Sequence, residues 1–92
     1  MTMGQPEANN PEIKAFMDAN AKMHQAMSGP LTGKTDWDFA LSMIPHHQGA
    51  IDMARVELKY GTDPEMRKLA QDIIAAQEKE IAFMKQWQQR HN

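Results

Sequence analysis

Cysteine is absent from the 92 residues, which excludes disulfides, thiolate nucleophiles and every cysteine-based zinc or iron–sulfur site. Aromatic residues are scarce, with three Phe, two Trp and one Tyr. A chain this short buries only about 60–65% of the surface it exposes when unfolded. With few large rings to fill its core, it is expected to gain stability from a bound metal or a second subunit. Charge of one sign is lacking as well: 10 Lys+Arg stand against 12 Asp+Glu. That balance gives no electrostatic footprint for nucleic acid or an anionic membrane. No apolar run approaches the roughly 18–20 residues that would span a bilayer, so no membrane insertion is expected. Residues 1–10 are polar and lack the apolar centre of an export signal. What is abundant is methionine, at 9 of 92 residues, so thioethers supply much of the core.

Residues 1–10, with Gly4, Pro6, Asn9 and Asn10, have no periodicity and read as a flexible lead-in to a single domain over 11–92. Asn10, Pro11 and Glu12 form a helix start, and a helix over about 11–27 follows. Its predicted apolar face collects Ile13, Phe16, Met17, Ala21, Met23, His24 and Met27. Ser28, Gly29 and Pro30 end it. Thr35 or Asp36 is expected to cap a second helix over about 36–60, in which Pro45 is expected to produce a kink near Leu41 to Pro45, with a break as the alternative. Gly61 reads as a left-handed C-terminal residue. Asp63, Pro64 and Glu65 then start a third helix over about 64–90. The short turn makes helices two and three antiparallel. With no strand-like alternation, the fold class is all-α, an antiparallel three-helix bundle. Its unequal helices leave apolar surface for a second copy, which gives the expectation of a homodimer.

The second helix projects Phe39, Met43, His46, His47, Ala50, Met53 and Ala54 onto its apolar half, so both histidines are expected to point inward. The third buries Met66, Leu69, Ile73, Ile74, Ala76, Ile81, Met84 and Trp87, and carries Gln77 and Glu80 in the same stripe. Buried polar groups need partners, and the imidazoles of His46 and His47 are the available ones. The first helix adds Met23, His24 and Met27. Thioether and imidazole donors together favour soft, low-charge cations, Cu(I) and by the same chemistry Ag(I). A thioether keeps its donor ability under oxidising conditions, which favours an exported protein. Cu(II) would prefer the nitrogens of His46, His47 and His24. Two blander readings stand beside this. Methionines at helical spacing are commonly packing, and His46, His47, Gln77 and Glu80 can form a buried hydrogen-bond network in a purely structural or dimerisation module.

Enzymatic chemistry finds no foothold. No glutamate has a histidine three residues later, as a di-iron carboxylate site requires. His-Glu-x-x-His, the phosphate-binding loop and the dinucleotide fingerprint are absent. Ser28 and Ser42 lie in no nucleophile-elbow context, and the acids are too dispersed for a hard-cation site. His91 is expected to be mobile at a frayed end.

The block Met43-Ile44-Pro45-His46-His47-Gln48-Gly49-Ala50-Ile51-Asp52-Met53-Ala54, with Asp36 to Phe39 before it and Gln77, Glu80, Ile81, Met84 and Trp87 after it, resembles the domain-of-unknown-function 305 family. That family includes the copper-resistance CopM-like proteins. The resemblance spans about Phe16 to His91 and implies a ferritin-like helical bundle, usually exported to the bacterial periplasm, that in some members binds copper or silver. It implies Met43, His46, His47, Met53 and Met84 as metal-site candidates, with Met23, His24 and Met27 corresponding to a more variable first helix. Gln77 and Glu80 would orient a histidine from behind. Partners implied are copper or silver ions and another copper-handling protein; a removed export signal is expected.

Overall fold

The computed structural model describes residues 10–92, so the lead-in expected over 1–10 lies almost wholly outside the described residues. Three helices follow one another: α1 (Pro11–Met27), α2 (Thr35–Tyr60) and α3 (Pro64–Arg90). The described residues contain no strand, and the fold is an all-α three-helix bundle. Both proline-led helices begin as their sequences dictate. Asn10 Oδ1 accepts hydrogen bonds from the backbone N–H groups of Glu12 and Ile13 at 2.9 and 3.1 Å. Asp63 Oδ2 accepts from Met66 N–H at 2.9 Å. Each satisfies donors that the first helical turn would leave bare.

Two local expectations are corrected, and for Pro45 the break is excluded. The N-cap of α2 is Lys34, which makes no side-chain cap bond; neither Thr35 nor Asp36 caps it. Asp38, inside the first turn, instead reaches back over the loop. Its carboxylate accepts from Thr32 N–H and Gly33 N–H and from the Thr32 hydroxyl, all at 2.8–2.9 Å. Pro45 sits inside a helix that continues through it, so the helix does not break there. Gly61 has φ −75° and ψ 154°, extended rather than left-handed. A glycine is nonetheless required there, because a Cβ would lie 2.6 Å from the Glu57 carbonyl oxygen. Arg67 Nη1 closes the end of α2 by donating to the carbonyls of Leu58 and Gly61 at 2.7 and 3.1 Å.

The Asp38 contacts make a pH prediction. The Thr32 backbone N–H foremost, aided by the Thr32 hydroxyl and the Gly33 N–H, holds the Asp38 carboxyl below its ordinary value against a smaller opposing effect of desolvation. A depressed folded-state pKa means that the charge stabilises the fold above the unfolded value of about 3.9, and that this stabilisation is lost as pH falls through the folded value. Asp38→Asn is expected to melt below wild type at neutral pH, with the gap closing under acid; thermal melts of both proteins across pH 2–7 check this.

The helices lie side by side. α1 and α3 both pack on α2 and their backbones stay apart; their side chains come together only across α2, where Phe16 lines a hollow with Leu69 and Ile73, and Met23 lines one with Ile81 and Lys85. The molecule is 29 Å wide but 14 Å thick, as expected for three neighbours spaced 8–10 Å apart in one curved layer. α2 therefore buries two flanks, through Ala40, His47, Gly49, Ile51, Ala54 and Val56. α3 buries only Ala70 and Met84 fully, and α1 only Ala19. The predicted apolar face of α1 is rotated: Met17, at 63% exposed, Ala21 and His24 face outward, while Ala19 and Met23 meet α2. A helix with one neighbour buries a narrow stripe, and the small residues of that stripe set the approach. Phe39 at 63%, Met66 at 49% and Leu69 at 50% are likewise exposed rather than core. Ala76 is exposed as well.

Candidate metal centre

The α2–α3 seam runs antiparallel in a fixed register. Trp37 meets Trp87 with ring centroids 6.1 Å apart. Ala40 and Met84 line one hollow, and Ala54 and Ala70 another. Between them, His47 reaches Glu80. Met43, one turn before His47 on the same side of α2, is thus level with the Glu80–Met84 stretch of α3. Met43, His47, Gln77, Glu80 and Met84 occupy about two turns of a single seam.

His47 is the one buried polar side chain among the described residues, at 7% exposure. Its Nε2 lies 2.5 Å from Glu80 Oε1. An ionised carboxylate only accepts, so Nε2–H donates, and in the neutral ring Nδ1 is left as a lone pair. That Nδ1 is buried and has no hydrogen-bond partner, and the same holds for Gln77 Oε1. Two buried polar atoms on facing helices therefore lack a hydrogen-bond partner, and with His47 in the neutral Nε2–H tautomer both are acceptors. The arrangement matches the way metal-binding imidazoles are held, with one ring nitrogen on a carboxylate and the other free for a cation. The donors also suit a soft ion, since Met43 is half-buried and Met84 buried on the same seam.

The other candidates are elsewhere. His46 is exposed, against the expectation that both histidines point inward. Adjacent helical residues diverge by 100°, so a seam that buries His47 turns His46 onto an open face. The two rings are 6.3 Å apart, edge to face. Met53, at 38% exposed, lies on that open face beside Phe16, Ala50 and Leu69. Ten residues of helix separate it from Met43, about 15 Å, so the two cannot share an ion within one chain. Met23 packs against Gly49 in the α1–α2 crevice. His24 is exposed, and Met27 is 39% exposed. The eight predicted ligands thus fall into three places, of which the seam holds Met43, His47 and Met84 with Gln77 and Glu80. Among the described residues no group of three or more His, Asp or Glu is placed to hold a metal, so any intramolecular site here depends on thioethers.

Two features went unread in the sequence. Gly49 is the close-approach point of α1 and α2: a Cβ on it would lie 2.4 Å from Met23 Sδ. Its signal was a glycine in mid-helix, which is costly unless packing requires it. His91 is not free, for it stacks on Trp87 at 4.3 Å and its Nδ1 lies 2.8 Å from the Trp87 carbonyl.

No helix among the described residues is long and apolar enough to cross a membrane. No curated protein matches the chain. The paired-histidine block, with α1, α2 and all but the last two residues of α3, lies within residues 2–88, which match the family described as Domain of unknown function (DUF305), and the chain belongs to that family.

Proposed function

We propose that the protein is a non-enzymatic bundle that binds Cu(I), with Ag(I) as its surrogate, through thioether and imidazole donors, and that it sequesters or delivers copper in an exported, periplasm-like compartment. The observation that carries this reading is the buried His47 ring, whose Nε2 is held by Glu80 while its Nδ1 lone pair has no partner. Leaving such an acceptor unsatisfied costs about 1–3 kcal/mol, and a soft cation would satisfy it. Met43 and Met84 offer neutral sulfur donors on the same seam, sufficient for a singly charged ion. His46 and His24, exposed on the surface, are the nitrogen donors suited to Cu(II).

An anaerobic titration of Cu(I) against a chromophoric chelator, with thermal unfolding followed in parallel, tests the proposal. Competition with the chelator and a rise in melting temperature are expected. Met43→Leu conserves volume, so it should change metal-free stability by less than about 1.5 kcal/mol while lowering Cu(I) affinity at least tenfold. Absence of both competition and stabilisation overturns the reading.

A second reading is favoured by the His47–Glu80 bond itself: a structural or dimerisation module whose His47, Gln77 and Glu80 fix the register of α2 against α3 without metal. It differs from the first in what His47 does when copper is added.

A further inference from the structure

One face of the helical layer is unpartnered. On α2 it carries Phe39, Met43, His46, Ala50 and Met53, and on α3 Leu69, Ile73, Ala76, Glu80 and Phe83. Both series alternate steps of three and four residues, the spacing of helices that pack along a straight seam. Neither contains Lys or Arg. Phe39 and Phe83 are each 63% exposed at one end, and Met66, Leu69, Met53 and Phe16 are 38–50% exposed at the other. At about 200 Å² for a large apolar side chain, these six alone expose on the order of 600 Å². That reaches the upper limit of the largest patch on an ordinary monomer. With the intervening residues it approaches the roughly 800 Å² per partner of a stable interface.

We propose that this face receives the same face of a second copy, giving a four-helix core from two α2–α3 pairs, and that His46 from each copy meets at its centre in a shared soft-metal site. The pattern along the face selects a second copy over an unrelated helix. Large side chains stand at both ends, and the middle carries Ala50 and Ala76 with His46 and the 59%-exposed carboxylate of Glu80. A two-fold axis in the interface, whether along the helices or across them, maps the middle of the face onto the middle of its mate. Large ends then meet large ends, and the hollow between the alanines is filled by two imidazoles. His46 is midway between Phe39 and Met53 in sequence, so this holds for either direction. Met43, half-buried where the α2–α3 seam meets this face and about one turn from both His46 and His47, brings a thioether from each copy to the edge of the shared site. Pairing also supplies a core that the layer lacks, because Ile51 is its one large side chain buried to under 2% exposure. Among the described residues no group of three or more His, Asp or Glu is placed to hold a metal within one chain, and the pair brings two copies of His46 together. The shared site rests on the copper reading above; the interface does not.

Sedimentation equilibrium of the full chain, without metal and with Cu(I) under anaerobic conditions, tests both parts. The metal-free protein is expected to be a dimer at micromolar concentration. Phe39→Glu and Phe83→Glu, at exposed positions where circular dichroism should remain unchanged, are expected to give monomers. Cu(I) is expected to tighten the wild-type dimer by about tenfold or more. His46→Ala should still dimerise when metal-free, more weakly than wild type because the central hollow loses two imidazoles, and lose the tightening by Cu(I). A monomer under all conditions, or a dimer indifferent to both glutamates, overturns the interface. Cu(I) bound with dimerisation unchanged, or tightening that survives His46→Ala, overturns the shared site while the copper reading stands. A metal-free dimer that binds no Cu(I) overturns the copper reading and the shared site together and leaves the interface standing.

Discussion

His47→Ala is expected to reduce Cu(I) affinity by at least tenfold and, in the metal-free protein, to cost about 1–3 kcal/mol, or roughly 5–20 °C in melting temperature for a chain of this size. The two losses have different origins. Stability falls because the ring fills the α2–α3 seam at 7% exposure and because Glu80 loses its hydrogen-bond partner. Affinity falls because the one buried imidazole is gone. If His47 only fixes register, the stability loss appears in full and Cu(I) affinity is unchanged. Glu80→Gln sharpens the distinction. It keeps the shape and an oxygen acceptor for Nε2–H, and Glu80 is 59% exposed, so metal-free stability should move by less than about 1 kcal/mol. Removing the carboxylate behind a metal-binding imidazole typically weakens the metal about 10–100-fold. A tenfold loss of Cu(I) affinity in Glu80→Gln at nearly constant melting temperature, measured by chelator competition and calorimetry, is therefore the signature of the metal reading. Equal, small changes in both quantities would favour the structural one.

The helices were legible in the sequence because their ends are written in local chemistry. Asn10-Pro11-Glu12 and Asp63-Pro64-Glu65 cap as they read, and a cap requires nothing beyond its own turn. The start of α2 was misplaced because its acidic residues serve a loop instead: Asp38 binds Thr32 and Gly33, a contact five to six residues distant that propensity does not see. Burial was read less well than helix existence, for a physical reason. Apolar periodicity assigns one inward face to each helix, but α2 has neighbours on two flanks and α1 on one. Phe39, Leu69 and Met66, correctly placed on an apolar stripe, therefore emerge on an open face. At the site, the pairing of His47 with Glu80 followed from the need of a buried imidazole for a partner, whereas Glu80, expected in the core, is 59% exposed. The inward orientation of His46 did not, because side chains one residue apart cannot both enter one seam. Met23 and Met53 were placed on the right helices, yet the layer carries them to separate regions.

Gly49→Val is expected to release α1, with a loss of about 1–3 kcal/mol from overpacking and a fall in helical circular dichroism approaching the quarter of helical residues that α1 contributes. A Cβ at residue 49 would stand 2.4 Å from Met23 Sδ and 3.1 Å from Met23 Cβ. The sulfur end of Met23 can swing away, but its Cβ moves only with the backbone, and a branched side chain fills the space on both sides. α1 has no second helix packed closely along it, since its backbone stays away from α3. An isolated helix of 17 residues is marginal in water, so separation and fraying occur together. Higher helix propensity of valine over glycine offsets well under 1 kcal/mol of the cost. Met23→Ala in the same chain removes the Sδ and Cγ atoms that collide, and the double variant should recover much of the circular dichroism signal, with a coupling of 0.5 kcal/mol or more between the two sites. The experiment also bears on the metal. Because the seam of Met43, His47 and Met84 lies between α2 and α3, Cu(I) affinity should survive the loss of α1 nearly unchanged. A parallel collapse of affinity in Gly49→Val would instead assign Met23, His24 or Met27 a direct part in the site.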